Sequence, residues 1–547
     1  MKAEYQVTVY TQNVAFAGTK NDVYITLVGK RGTSKHQKLE RNNFFFHRGD
    51  STFTVTCSAD LGQLLQIHLE KRGLVQKDKW LPAKVEVRSP HGKLYTFPVY
   101  HWLTKNKKHF FREGTGLFCL TFLCCPVLLR WSVYHKGMPL CIQAVSLMSL
   151  PPDDRYPFTR DLEFAFTAGC MKEFVLSDYV MKYWREDAFF GYQFLNGVNP
   201  MMIQRCETLP SKFPVPLDMI LSKSRLTLRS EMKRGNIFLC DYNILDGVET
   251  RTINGRKQFL TAPLVLLHKN EYNQMMPIAI QLKQKPGKYN PIFFPTDSEY
   301  DWLLAKTYVR SAEFNLHELN FHLLRTHLLA EVYAIALQRN IPRVHPVYKL
   351  LIRHTRYTLQ INLLARSNLI SKIGVFTSSG GKGMLTLMDR SVSCLTYRSL
   401  CIPDDIADRG LEDVPNFYYR DDGLKLWNII HRLVVYIPSF LLEMSWNGPE
   451  MDSELANEAS FLFTLPDVQT TVNIIATVWL LSMEAADARH LHEFVEEHFT
   501  EDFPNHKVKV FQRELKRLSK EIQKRNRGLE LPYNFLDPKL VESSIAI

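Results

Sequence analysis

"HELNFHLLRTHLLAE", residues 317–331, decides the fold of the larger part of this chain. It sits inside one continuous run of helical periodicity, from "YDWLLAKTYVRSAEFN" through to "EVYAIALQRN", and it carries His317, His322 and His327 at intervals of five. On an α-helix, at about 100° per residue, side chains five apart diverge by about 140° and do not share a face. Two imidazoles on one atom need a spacing of three or four, or a local i→i+5 widening of the π type, which is rare and concentrates at functional sites. The stretch therefore reads either as three histidines buried by coincidence in a long helix or as a metal site on a widened turn.

Outward from that helix, the region 113–547 is mostly helical in period, as in "NHKVKVFQRELKRLSKEIQKRNRG", with short strands predicted in "GNIFLCDYNIL", "APLVLLHKN" and "PIAIQLKQ". Upstream the period changes. From Glu4 to about Leu103, short runs such as "YQVTVYT", "DVYITLVG" and "STFTVTCS" alternate apolar and polar residues between turn signals. That pattern predicts an antiparallel β-sandwich over residues 1–112. The lysine-rich "LTKNKKHFFREG" is expected to be the linker. A multidomain chain of 547 residues fits both readings.

Apolar residues make up 45% and charged residues 23%, the balance of a globular protein. Sixty-eight Lys and Arg against 56 Asp and Glu leave +12, which suits an anionic partner such as a phospholipid surface or a fatty carboxylate. The basic residues are dispersed along the sequence without a stacking-aromatic motif, so no nucleic-acid partner is expected. Ten cysteines without metal or disulfide spacing read as reduced thiols, and "MKAEYQVTVYTQN" enters a strand pattern with no apolar signal core. A cytoplasmic protein with peripheral membrane association is expected. The apolar run "GLFCLTFLCCPVLLRW", residues 116–131, is shorter than a bilayer span and contains Pro126, so it predicts a buried segment.

The histidine helix, followed by "VHPVYKLLIRHTRYTLQINLLARSNLI", "YRDDGLKLW" and the ending "LPYNFLDPKLVESSIAI", resembles the animal lipoxygenase family. "FAGTKNDVYITLVG" and "SPHGKLYTFPVYHWL" resemble its PLAT domain, and "EDAFFGYQFLNGVNP" resembles the start of its helical body. The last residues look like the epidermal, hydroperoxide-isomerase branch. The resemblance implies one non-haem iron held by His322 and His327, with the C-terminal carboxylate of Ile547 as an oxygen ligand and His317 outside the ligand set. It implies an apolar substrate channel with Phe314, Leu323, Ile361, Ala365, Leu369 and Ile370 at matching positions, Ala365 resembling the S-oxygenating type. From the residues alone, each of these reads first as an ordinary core side chain. The implied substrates are a polyunsaturated fatty acid with dioxygen, or a fatty acid hydroperoxide.

In the PLAT-like part, Asp22 and Asp78 are possible ligands for Ca2+, and Trp80 is a possible membrane contact. Lys20, Lys77 and Lys79 dilute the acidic character of those loops. The family also supplies a histidine and a neighbouring polar ligand from a second core helix. Here the sequence passes from "EMDSELANEASF" to "LFTLPDVQTTVNIIATVWLLS" without such a stretch, an internal truncation near residues 455–470. The alternative reading is accordingly a lipid- or membrane-binding protein of lipoxygenase architecture with an impaired metal centre, or an incomplete gene product.

Overall fold

The computed structural model describes residues 2–541 except 14–15, 41–48, 74–77, 105–106, 115–133, 136–140, 143, 145, 157–174, 222–224, 254–255, 342, 369–379, 446–498 and 500. The apolar run at 116–131 and the proposed truncation near 455–470 both lie outside the described residues.

The N-terminal part is a two-sheet antiparallel sandwich. One sheet joins β1 (Ala3–Thr11), β3 (Gly49–Cys57), β5 (Pro82–Arg88) and β6 (Leu94–Pro98) in the order β3-β1-β5-β6. The other joins β2 (Asp22–Gly29), β4 (Leu64–Arg72) and β7 (Lys108–Arg112), with short pairings at Gly32–Thr33 and Gln37–Lys38. Period-two alternation turns Tyr5, Val7 and Val9 of β1 inward against Val23, Ile25 and Leu27 of β2, all fully buried.

Two expectations are corrected here. The stretch expected to be a linker forms β7, which pairs with β4 from Gln66 opposite Arg112 to Glu70 opposite Lys108. Lysines flank the strand because it lies at a sheet edge, where charge discourages further pairing. Trp80, expected at a lipid interface, is completely buried in the sandwich core, and its indole N–H donates to Thr11 Oγ1 at 3.1 Å. Its ring is large enough that the sandwich fills its end with it.

The body begins with α1 (Val175–Tyr183) and α2 (Asp187–Asn196). A five-stranded antiparallel sheet follows, with β8 (Ile203–Arg205), β9 (Ile237–Asp241), β10 (Leu264–Lys269), β11 (Met275–Gln281) and β12 (Ile292–Phe293) in sequential order. The three predicted strands are β9, β10 and β11. The long helical run starts at Ser298, whose side chain caps α3 (Glu299–Leu316) by accepting from Asp301 N. It continues through residues 317–328 into α4 (Leu329–Asn340). Packed around it are α5 (Thr358–Asn368), α6 (Tyr418–Ser445) and α7 (Asp502–Asn526). Val309, Ala312, Leu316, Leu323 and Leu328 of the long helix share one core with Ile430 and Leu433 of α6 and Val508, Phe511 and Leu515 of α7. Among the described residues no helix is long and apolar enough to cross a membrane.

Sandwich and body meet at polar contacts. Asp153 accepts from Trp102 N at 2.9 Å and pairs with His101, and Gln338 of α4 donates to Asp154 at 2.9 Å. Lys349, its ammonium fully buried, donates to Gly114 O and pairs with Glu501 at 3.0 Å.

Candidate metal centre

Between α3 and α4, His317–Leu328 form a π-helix of 12 residues, longer than the single widened turn expected. The i→i+5 ladder stacks residues five apart, where an α-ladder would splay them. His322 and His327 consequently face one another, with ring centroids 4.9 Å apart and Nε2 atoms 3.0 Å apart.

The surrounding hydrogen bonds settle which nitrogen carries each proton. Asn362 of α5 donates its amide to His327 O at 2.7 Å and to Glu331 Oε2 at 2.8 Å, so its Oδ1 is the acceptor facing His327 Nδ1 at 3.1 Å. His327 Nδ1 therefore holds the hydrogen. Glu318 Oε2, a carboxylate oxygen, lies 2.9 Å from His322 Nδ1 and can only accept from it. With Nδ1 donating in each ring, the Nδ1–H tautomers turn their Nε2 lone pairs toward each other. A cation between them removes that repulsion. The 3.0 Å spacing also suits neighbouring corners around a metal with metal–nitrogen distances of about 2.1 Å. The residues fit an imidazole-bound transition metal, iron among them.

Behind this pair, Glu331 is fully buried and takes Arg366 in a two-pronged bond, at 3.1 and 2.7 Å, together with Ile142 N at 2.9 Å. Arg366, Glu331, Asn362 and His327 form one chain that fixes the ring plane of His327. His322 is the more open of the two, its side chain 37% exposed. His317 stacks 6.0 Å from His322, and burial pushes its imidazole down to about 4 against the pull of Glu318. Among the described residues, His317, Glu318 and His322 can bring three ligand atoms within 4.8 Å of one another.

The other expected site residues separate into three groups. Leu323 and Ala365 are buried, and Ile361 is half-buried on the α5 face that carries Ala365. Phe314 is a correction: it is 55% exposed, because it falls on the outward stripe of α3 with Leu304, Thr307 and Ser311, while Ala312, Glu313 and Leu316 take the inward one. Leu369, Ile370 and Ile547 lie outside the described residues. In the sandwich, Asp22 pairs with Lys38 at 2.7 Å. Asp78 accepts from Thr19 Oγ1 and, at 3.2 and 3.3 Å, from the backbone N–H of Lys20 and Asn21, while Lys71 donates to its main-chain oxygen.

Sequence reasoning missed Glu318, Glu331 and Asn362. Two of them carry a readable signal, since "ELNFH" and "HLLAE" place a glutamate four residues from His322 and from His327, on the same helical side.

A lipoxygenase family model matches residues 175–455, which contain the whole histidine segment, and a PLAT/LH2 domain model matches residues 5–116. The chain belongs to the lipoxygenase family. This lipoxygenase-family chain is 34% identical to the arachidonate 12-lipoxygenase, 12R-type, of Rattus norvegicus over 701 aligned positions, and 34% identical to the hydroperoxide isomerase ALOXE3 of Homo sapiens over 713, with all of each chain covered. Both alignments are longer than its 547 residues, so it lacks segments that these relatives have. Its fold matches the crystal structure of coral 8R-lipoxygenase, described as calcium-activated through a C2-like domain, with a TM-score of 0.84 and 27% identity over all of both chains.

Proposed function

We propose that this chain is a non-haem iron oxidoreductase of the lipoxygenase type, acting on a polyunsaturated fatty acid with dioxygen or on a fatty acid hydroperoxide. The observation that carries the reading is the pair of Nδ1-anchored imidazoles whose Nε2 atoms face each other at 3.0 Å on a π-helical segment. Iron bound there supplies one-electron chemistry that no side chain can. The protein's own part is to hold His322 and His327 in the ligating tautomer and to line the approach with apolar residues, Leu323, Ile361 and Ala365 among them. Leu369, Ile370 and the Ile547 carboxylate complete the proposed site from the family pattern. The activities for which the two relatives are named support both substrate classes.

Iron per purified chain and product analysis test this together. Near-stoichiometric iron is expected. Diene absorbance from free arachidonate identifies a dioxygenase, and consumption of its hydroperoxide alone identifies an isomerase. Folded protein without iron, inert on both, overturns the reading. That outcome belongs to the second reading, a lipid-associating protein with an impaired centre, which is favoured by the 701 positions of a relative's alignment against 547 residues here.

The domain division at residues 112 and 113 and a peripheral membrane role for the sandwich belong to the same proposal. Calcium would bind at Asp22 and Asp78 only by displacing the ion pair with Lys38 and the donors that Asp78 accepts, so binding there is weak. Vesicle sedimentation with and without calcium tests it, and identical sedimentation in both dismisses a calcium role.

A further inference from the structure

The basic residues that look dispersed along the sequence are gathered by α7. At about 100° per residue, Lys509, Arg513, Lys516, Lys520, Lys524 and Arg527 all fall within an arc of about 80° and extend along about 27 Å of helix axis. All six are exposed. The opposite side of the helix carries Val508, Phe511, Leu515, Leu518 and Ile522 into the core. Between Lys509 and Arg527 the acidic residues are Glu514 and Glu521, and both stand on the shoulder toward α6. There they pair with Arg432 at 2.8 Å and Lys425 at 3.1 Å. The acids are thus drawn off the stripe by the neighbouring helix, and the six like charges are left facing outward together.

We infer that this face of α7 docks the body on an anionic phospholipid surface. A straight row of exposed cations about 27 Å long matches an extended plane of negative charge better than a compact anion. The end of α1 reaches the segment that follows the row. Tyr183 at the end of α1 donates to Glu530, three residues beyond Arg527, at 2.9 Å, and α1 presents Met181 at 76% exposure with Trp184 just after it at 44%. A cationic row with exposed Met and Trp on the adjoining helix combines the two residue classes used by surfaces that lie on a bilayer, with headgroups on the charges and the ring at the interface. A nucleic-acid surface would use the cations but gain little from exposed Met181. This inference rests on the lipid-surface part of the proposed function and is independent of the metal centre.

The test is sedimentation of the full chain with phosphatidylcholine vesicles, with and without phosphatidylserine, at low and high salt. Each basic residue near an anionic bilayer is worth about five-fold in partitioning. Binding is expected only to the phosphatidylserine vesicles, and it should weaken in high salt. The triple variant Arg513→Gln, Lys516→Gln, Lys520→Gln should lose on the order of a hundred-fold. An equal loss of charge elsewhere, Lys233→Gln, Lys285→Gln, Lys288→Gln, should leave partitioning within about five-fold of the parent. Because all these residues are exposed, the variants keep the fold. Equal vesicle binding by parent and stripe variant overturns the inference, as does no binding by the parent. A single-stranded polynucleotide that binds the parent more tightly than the vesicles do, and loses that binding in the stripe variant, also overturns it. Iron content and turnover of dissolved substrate are measured in parallel. Their failure alone strikes the proposed chemistry and leaves the docking face standing.

Discussion

At the scale of single residues, Asn362 is the most exposing test of the centre. Its side-chain oxygen holds His327 in the Nδ1–H form, and its amide ties that ring to Glu331. Asn362→Leu keeps the branched outline of the side chain and removes all three of its bonds, so iron affinity should fall about 10- to 100-fold while far-ultraviolet circular dichroism stays unchanged. Chelator competition measures it, and an unaltered dissociation constant would show that the amide does not position the ligand. Glu331→Leu is harsher. It strips the partner from Arg366, whose side chain is only 24% exposed, and should cost about 3–5 kcal/mol in urea unfolding. The five-residue interval raises a metal site on a widened turn beside the reading of three core histidines, and it is the family resemblance that singles out His322 and His327. Asn362 was not legible as an orienting group, since a polar residue in "INLLARSN" shows its purpose only when another helix delivers His327 to it.

At the scale of elements, alternating residues foretold the sandwich and the 3.6-residue period foretold the long helices, because each face meets a different medium. Where that contrast fails, the sequence misleads. "KHFFR" reads as a linker because charges flank it, yet it is β7, an edge strand whose charges guard an open side. Trp80 reads as a surface aromatic because lysines surround it, but Trp80→Ala should destabilise the sandwich by about 3–5 kcal/mol and leave vesicle binding unchanged. The seam between sandwich and body carries its own signature. Burial pushes the Asp154 carboxyl from 3.8 up to about 7, against the hydrogen bond from Gln338; Asp153 and Arg343 are the charges beside it. Below about pH 4 the carboxyl is protonated in folded and unfolded chains alike. As the pH climbs toward 7 the unfolded chain releases that proton first, so the stability that the neutral group contributes is lost across this interval. Relative to Asp154→Asn, the parent should lose on the order of 4 kcal/mol of unfolding free energy between pH 4 and 8. A difference that stays constant with pH would refute this.

At the scale of the whole molecule, a bound metal adds its binding free energy to folding, because the unfolded chain lacks the π-helical cradle. At a thousand times its dissociation constant, a metal stabilises by about 4 kcal/mol. Stripping iron with a strong chelator should therefore lower the thermal midpoint, and restoring ferrous iron should recover it. No change on either step would mean that His322 and His327 hold no ion. The chain's overall layout was readable in advance, whereas the cationic row on α7 was not, because residues spaced through a sequence become neighbours only once a helix winds them together. Lys349 shows another cost of such distance. Its ammonium unites Gly114, at the end of the sandwich, with Glu501, just before α7, and 152 residues separate it from that glutamate. A ribosome adding about 5–20 residues per second leaves that lysine waiting roughly eight to thirty seconds for its carboxylate. The strands of the sandwich are all made long before then, but the body cannot finish closing until α7 begins to appear, and through that interval the apolar side that α7 covers stays open to water.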